Sequence, residues 1–495
     1  MQTLSEAMRR HALLAGDAIA VSDDAQTMNR RDFAARVLDM AASLQDSPSV
    51  IGLFAPNGIA WAVTQLACAL AGKLVVPLPT FFSPQQLAHV VQDASVGLVL
   101  TTPETMPQAA ASGIATELIE RRIARSKSFA CVDGFGQIIY TSGSTGQPKG
   151  VRHESGQIAW SMTALANATQ ASIADSYLSV LPLPLLLETI CAVFIPALLG
   201  AKVHYATGLA ERVGRGDARG LAAAFDDHRP TSSVVVPQLL RHWTAELSAT
   251  GRVAPSSLRF VAVGGAPVST RVADDAWRLG IPAYEGYGLS ECCSVVAVAR
   301  PGERRAGTVG RPLDGLSVKI DNDEIVVDGP TVMDGYLGQT GAARPWRTGD
   351  IGSFDADGFL SVRGRKDSML VTAFGRNVSP EWIETMIVSD ARVGICAVVG
   401  YGEPSLSALL IPSADGAAWF ALAREQDVFD LVADACVEAP DYARPRAVIV
   451  VPFDEAARAG LLSPNGRPRR AQISDFVKAR SRATDAPVSG TAAHG

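Results

Sequence analysis

Charge of either sign is scarce in this sequence: Asp, Glu, Lys and Arg make up 19% of its 495 residues, with 44 basic against 50 acidic side chains. A surface basic enough to neutralise a nucleic-acid backbone is therefore not expected. The seven histidines (11, 89, 153, 204, 228, 242 and 494) stand at no metal-ligand spacing, and only His153 lies beside a motif of interest. The seven cysteines are an odd number, scattered and without a CxxC pair, which excludes a disulfide framework and suits reduced thiols in a cytoplasm. Adjacent Cys292 and Cys293 read as core residues. Long apolar runs are missing too. LPLPLLLETICAVFIPALLGA comes nearest to the roughly 18 uninterrupted apolar residues of a spanning helix, but Pro182, Pro184, Glu188 and Pro196 break it. Gly16 and Asp17 interrupt the apolar stretch at the N-terminus, so neither a signal peptide nor a membrane anchor is expected. No internal repeat is visible.

What is present is a composition able to build deep cores, with 47% hydrophobic residues over a length suited to about two to four folding units. Short apolar runs rich in β-formers, VIGLFAP (50–56), KLVVPLP (73–79), VGLVLTT (96–102), DSYLSVLPL (175–183), AKVHYA (201–206), SSVVVP (232–237) and LRFVAVGG (258–265), read as strands. Between them WAVTQLACALAG (61–72), SPQQLAHVVQDA (83–94) and GLAAAFDDH (220–228) read as helices. Such alternation predicts an α/β fold of parallel sheets covered by helices. From about 306 the texture changes to Gly, Pro and Asp punctuating short alternating strands, a compact β subdomain over 306–366 that completes a large domain at 1–366. After GRKD (364–367) strands and helices mix on the scale of an independent, mobile α+β domain, 367–480. Residues 481–495, small and polar without a period, read as a disordered tail.

The strongest chemical signal is IIYTSGSTGQPKGV at 138–151. Gly143 and Gly146 let the backbone approach a polyphosphate, the hydroxyls of Thr141, Ser142, Ser144 and Thr145 offer hydrogen bonds, and Lys149 supplies a point charge. It is not a Walker A loop, because Gly150 rather than Ser or Thr follows the lysine. YEGYGLSE (284–291) offers an aromatic and a hard carboxylate, Glu291, suited to Mg²⁺. GGAP (264–267) is a small-residue turn after a strand, and WRTGD (346–350) ends in an aspartate able to accept two hydrogen bonds from a cis-diol.

In this order, and over nearly the whole chain, these motifs resemble the acyl-adenylate-forming superfamily of acyl-CoA synthetases, nonribosomal-peptide adenylation domains and firefly luciferase. Bacterial long-chain acyl-CoA synthetases are the nearest in character. The resemblance implies ATP, Mg²⁺ and coenzyme A, or a phosphopantetheine thiol, as partners of a small carboxylic acid. It implies that the loop from Thr141 to Lys149 holds the phosphates, and that Tyr287 stacks on adenine beside Gly288, Leu289 and Ser290. Thr141 and Glu291 would hold the metal, Gly264, Gly265 and Ala266 would face adenine and acyl group, and Asp350 and Arg365 would take the ribose. Asp367 would be the hinge between two half-reactions.

Two departures stand out. SPNGRPRR (463–470) puts Arg467 where the family carries its catalytic lysine, a swap that keeps charge but alters geometry. LPLPLLLE (181–188) lacks the usual His or aromatic, and Leu185, Leu186 and Leu187 suit an apolar acid or simply a core. An amino-acid substrate would call for an acid in the pocket, and none is singled out. Two alternatives stay open: an acyl adenylate passed to a carrier protein or a nitrogen nucleophile, and a nucleotide-binding protein impaired in catalysis.

Overall fold

A computed structural model describes residues 1–111, 113–122, 130–141, 149–339, 341–462 and 468–484 of the chain; for Thr141 and 481–484 it describes the backbone alone. The chain divides into two compact units. One comprises 1–266, 273–348 and 353–361, and the other 267–272, 349–352 and 362 onward.

The larger unit carries the expected α/β architecture as two mostly parallel sheets. The first has six strands in the order Thr116–Leu118, Leu98–Thr101, Val50–Phe54, Leu74–Pro77, Gly136–Thr141, Lys149–Glu154. Its central members read as unbroken apolar runs because helices leave neither face to water. Helix Ile59–Leu70 is apolar but for Thr64 and Gln65 and almost wholly buried, and both polar side chains are hydrogen-bonded. Helix Pro84–Asp93 instead buries a stripe of Leu87, Val90 and Val91. It starts where Ser83 and Gln86 cap each other reciprocally and Pro84 presets the first turn.

The second sheet has nine strands. From one edge they run Arg311–Pro312, Ser294–Val298, Ala283–Leu289, Phe260–Val263, Ser232–Val235, Ser176–Ser179, Lys202–Tyr205, Ile19–Asp23 and Thr27–Asn29. Pairing is parallel from Ala283–Leu289 to Ile19–Asp23 and antiparallel at both margins. The seven strands and three helices read from sequence all form. Strand Ile19–Asp23 lies parallel to Lys202–Tyr205 with Val21 opposite Val203, a pairing of distant segments that no local pattern announces.

Beyond 306 the Gly- and Asp-punctuated stretch folds as short strands, among them an antiparallel hairpin of Ser317–Asp321 with Glu324–Asp328. Asn322 and Asp323 at its tip adopt left-handed backbone, a conformation these short polar residues tolerate.

The smaller unit is α+β, as expected. A three-stranded sheet, Val393–Val399, Ser407–Pro412 and Ala447–Val450, packs with helices Pro380–Ile387, Glu425–Ala435 and Arg470–Thr484 around buried aliphatic residues. Arg470 anchors its last helix, donating to the Glu384 carboxylate and the Val398 carbonyl.

Candidate active site

The phosphate-loop motif begins on strand Gly136–Thr141 and ends on strand Lys149–Glu154, which pair antiparallel with Thr141 opposite Lys149. The loop thus joins two strands rather than a strand and a helix. Ser142, Gly143, Ser144, Thr145 and Gly146 lie outside the described residues, as does the Thr141 side chain. A distant segment pins the strand just past Lys149: the Leu337 N–H donates to the Gly150 carbonyl at 2.8 Å, and Tyr336 bridges to Val151. That pairing brings the Tyr336 ring within 5.4 Å of the Lys149 ammonium, a cation–π contact.

YEGYGLSE occupies strand Ala283–Leu289 and the tight turn after it. The strand runs parallel to Phe260–Val263, then turns its second half antiparallel to Ser294–Val298 with a register shift at Tyr287 and Gly288. The return is so sharp that Cys293 and Ser294 have positive φ. A Cβ on Gly288 would lie 1.8 Å from the Ser294 carbonyl oxygen, so this glycine is demanded by close approach of backbone. Cys292 and Cys293 are buried beneath the turn as core residues, and Ser161 donates to the Cys293 carbonyl.

Glu291 stands on this turn. Its Oε1 accepts a hydrogen bond from the Tyr336 hydroxyl at 2.7 Å, and its backbone carbonyl accepts from the Met333 N–H at 2.8 Å. Lys149, Tyr336 and Glu291 therefore form one chain of contacts: ammonium, ring, hydroxyl, carboxylate. As a hard oxygen ligand Glu291 fits Mg²⁺, and such a cation keeps water and phosphate oxygens as its other ligands. Among the described residues no cluster of three or more His, Cys, Asp or Glu is placed to hold a metal. His153 is buried in the strand after Lys149, and burial drives its imidazole down to about 4 against a weaker opposing effect of the Ser290 backbone. It is neutral at physiological pH.

A cavity of about 320 Å³ opens beside these elements, within the larger unit. Gly264, Gly265, Tyr287, Gly288, Leu289 and Ser290 line it, so two motifs read separately from the sequence share one wall. Ala266 is not among the lining residues. Leu185, Leu186 and Leu187 line it as well, and the leucine run thus faces an open space instead of filling a core. The cavity wall also includes Glu188, fully buried on the turn that continues from those leucines. The sequence reading passed over it, although a single acid inside LPLLLETICAVF was the available signal. Tyr336 was missed as well, and nothing in its local sequence announces its contact with Glu291.

In the smaller unit, Asp350 is buried and pairs with Arg365, whose Nε lies 2.9 Å from the carboxylate Oδ1. The two residues expected at a ribose are thus in contact with each other. Lys366, Asp367 and Ser368 form a short 3₁₀ turn right after strand Leu360–Arg365. Arg467 lies outside the described residues.

A 2-succinylbenzoate–CoA ligase of Bacillus licheniformis is 28% identical over 379 residues, covering 71% of this chain and 76% of its own. A long-chain-fatty-acid–CoA ligase of Mycobacterium bovis is 26% identical over 443 residues, covering 72% of each. Among solved structures, the o-succinylbenzoate CoA synthetase of Bacillus subtilis bound to its acyl-adenylate intermediate superposes with a TM-score of 0.77 at 23% identity, over 95% of this chain and 98% of that one. The AMP-binding enzyme C-terminal domain matches residues 367–476, and the AMP-binding enzyme domain matches residues 8–337; the chain belongs to the AMP-binding enzyme family.

Proposed function

We propose that this protein is an AMP-forming acid–thiol ligase that activates a carboxylic acid with an apolar body and transfers the acyl group to coenzyme A. The observation that carries this reading is the cavity whose wall is shared by Gly264–Gly265 and Tyr287–Ser290, beside the Lys149–Tyr336–Glu291 chain. On this reading the cavity takes the acyl group, and the Lys149–Tyr336–Glu291 chain beside it handles the polyphosphate.

In the first step a carboxylate oxygen of the acid attacks the α-phosphorus of ATP, and the bond to the β-phosphate oxygen breaks to release pyrophosphate. Two anions must approach, so charge neutralisation carries the catalysis. Lys149 supplies one cation, and the loop Thr141–Gly146 supplies hydroxyls and backbone N–H groups. Thr141 and Glu291 would hold Mg²⁺, which would supply further positive charge to the phosphates. Arg467 takes the place of a lysine at the α-phosphate. Tyr287 and Gly264–Ala266 accommodate adenine, and Asp350 with Arg365 serves the ribose. In the second step the thiol sulfur attacks the acyl carbon, the bond to AMP breaks, and the thiol proton passes to solvent. The small domain, 367–480, changes position about Asp367 between the steps.

The test is acid-dependent pyrophosphate release from Mg·ATP across fatty, aryl and amino acids, with and without coenzyme A. AMP and a thioester appearing together support the ligase. Pyrophosphate without a thioester directs the acyl group to a carrier protein or nitrogen nucleophile. ATP binding without turnover of any acid means an impaired nucleotide-binding protein.

A further inference from the structure

The cavity of about 320 Å³ extends far from the turn that carries Glu291. Gly264 and Gly265, just past strand Phe260–Val263, line one part of it, and Phe260 and Arg259, at the start of the same strand, line another. With an advance of about 3.3 Å per residue, the span from Arg259 to Gly264 is about 16 Å. The cavity thus runs along the strand, from the carboxyl ends of the parallel strands, where sheets of this kind bind ligands, to their opposite ends. Leu165, Leu187 and Ile195 give its wall an apolar character, and small Ala262 midway along the strand leaves room. At the far end the character changes. Arg259 donates from Nε and Nη2 to the two carboxylate oxygens of Asp175 at 2.6 and 2.5 Å, and from Nη1 to the Thr169 carbonyl at 2.8 Å. Asp175 also accepts from the Thr231 hydroxyl and the Ser172 N–H. Arg259, Asp175 and Thr169 all line the cavity. Held in three directions, the guanidinium is fixed in place, yet 33% of the Arg259 side chain stays exposed against 7% for Asp175.

We propose that the Arg259–Asp175 pair is the end wall of the acyl cavity and sets the longest straight-chain acid that the protein accepts. This assignment rests on the acid-activating function proposed for the chain and narrows its substrate class. Carbon–carbon bonds of about 1.5 Å advance an extended zigzag chain by about 1.25 Å per carbon, so a cavity about 16 Å long holds about twelve carbons when the carboxylate lies at the Gly264–Gly265 end. Up to that length every added methylene is buried against apolar wall and tightens binding. A longer chain meets the pair. Its methyl end would strip water from the guanidinium and offer no acceptor in return, which costs free energy, and pushing the guanidinium aside would leave the buried Asp175 carboxylate without its partner.

The experiment uses the full chain with saturated straight-chain acids from about six to about eighteen carbons. Binding is read by isothermal titration calorimetry without nucleotide, and pyrophosphate release is read separately. In wild type, affinity should rise about fourfold per methylene up to about twelve carbons and then fall. The double variant Arg259→Ala with Asp175→Ala removes both charges, so that neither is left buried alone, and should move the break to acids at least two carbons longer. Ala262→Leu narrows the cavity midway and should move the break to shorter acids, a result that does not depend on the double variant folding. Affinity that keeps rising through the longest acid in wild type, or a break that neither variant moves, overturns the assignment. A break at the expected length without any pyrophosphate release supports the end wall and removes the adenylation reading instead. Pyrophosphate release confined to aryl acids, with no straight-chain acid bound, keeps the ligase and overturns the end wall.

Discussion

The Tyr336 hydroxyl donates to the Glu291 carboxylate at 2.7 Å, although 45 residues separate the two in the chain. The same Tyr336 ring lies under the Lys149 ammonium, so one side chain touches both charged groups proposed to handle the polyphosphate. Tyr336→Phe keeps the ring and removes the donor. A hydrogen bond to a charged group contributes about 1.5–3 kcal/mol, and partial exposure of Glu291 reduces this. The expected outcome is a KM for Mg·ATP raised about five- to twentyfold, with a shifted Mg²⁺ optimum and little change in KM for the acid. An unchanged Mg²⁺ dependence would make the contact incidental.

Asp350 and Arg365 should act together. If Asp350 takes the ribose diol, wild type distinguishes ATP from 2′-deoxy-ATP and 3′-deoxy-ATP, and Asp350→Asn loses that discrimination. With Arg365 about half exposed, the pair itself contributes no more than about 1 kcal/mol to stability. Thermal unfolding of both single variants and the double variant measures this coupling.

Arg467→Ala should slow pyrophosphate release about 10²-fold, the scale of losing one donor to developing charge, and leave ATP binding nearly intact. Thioester formation from chemically supplied acyl adenylate should be spared. Equal loss in both steps would assign Arg467 a structural role.

Stability should depend on pH through two buried groups of opposite sign. His153 titrates near 4 in the folded chain against an ordinary 6.5, so the unfolded chain binds more protons between those values and stability falls as pH drops from 6.5 to 4. Glu188 titrates near 8 against an ordinary 4.5, so the folded chain binds the extra proton and stability falls as pH rises from 4.5 to 8. His204, also lowered to about 4 by burial and by neighbouring His228, adds to the acid-side loss. Denaturant midpoints across pH 4–9 should therefore show His153→Gln flattening the acid limb relative to wild type, and Glu188→Gln flattening the other.

A strand buried on both faces must be apolar throughout, and a helix buried on all sides must be largely so, so Val50–Phe54 and Ile59–Leu70 are legible as runs of side chains. The same holds for IIYTSGSTGQPKGV and YEGYGLSE, where glycines, hydroxyls and charges sit at short fixed intervals. Locally encoded features of this kind, the α/β class and the tight turn that carries Glu291, were determined by the sequence alone. Long-range pairing decided the rest. The Leu337–Gly150 hydrogen bond sets Tyr336 between Lys149 and Glu291, and parallel pairing of Ser176–Ser179 with its neighbours builds the wall in which Glu188 meets Tyr177. In the sequence Glu188 is only a charge that interrupts an apolar run; its burial against the Tyr177 hydroxyl depends on strands far apart in the chain.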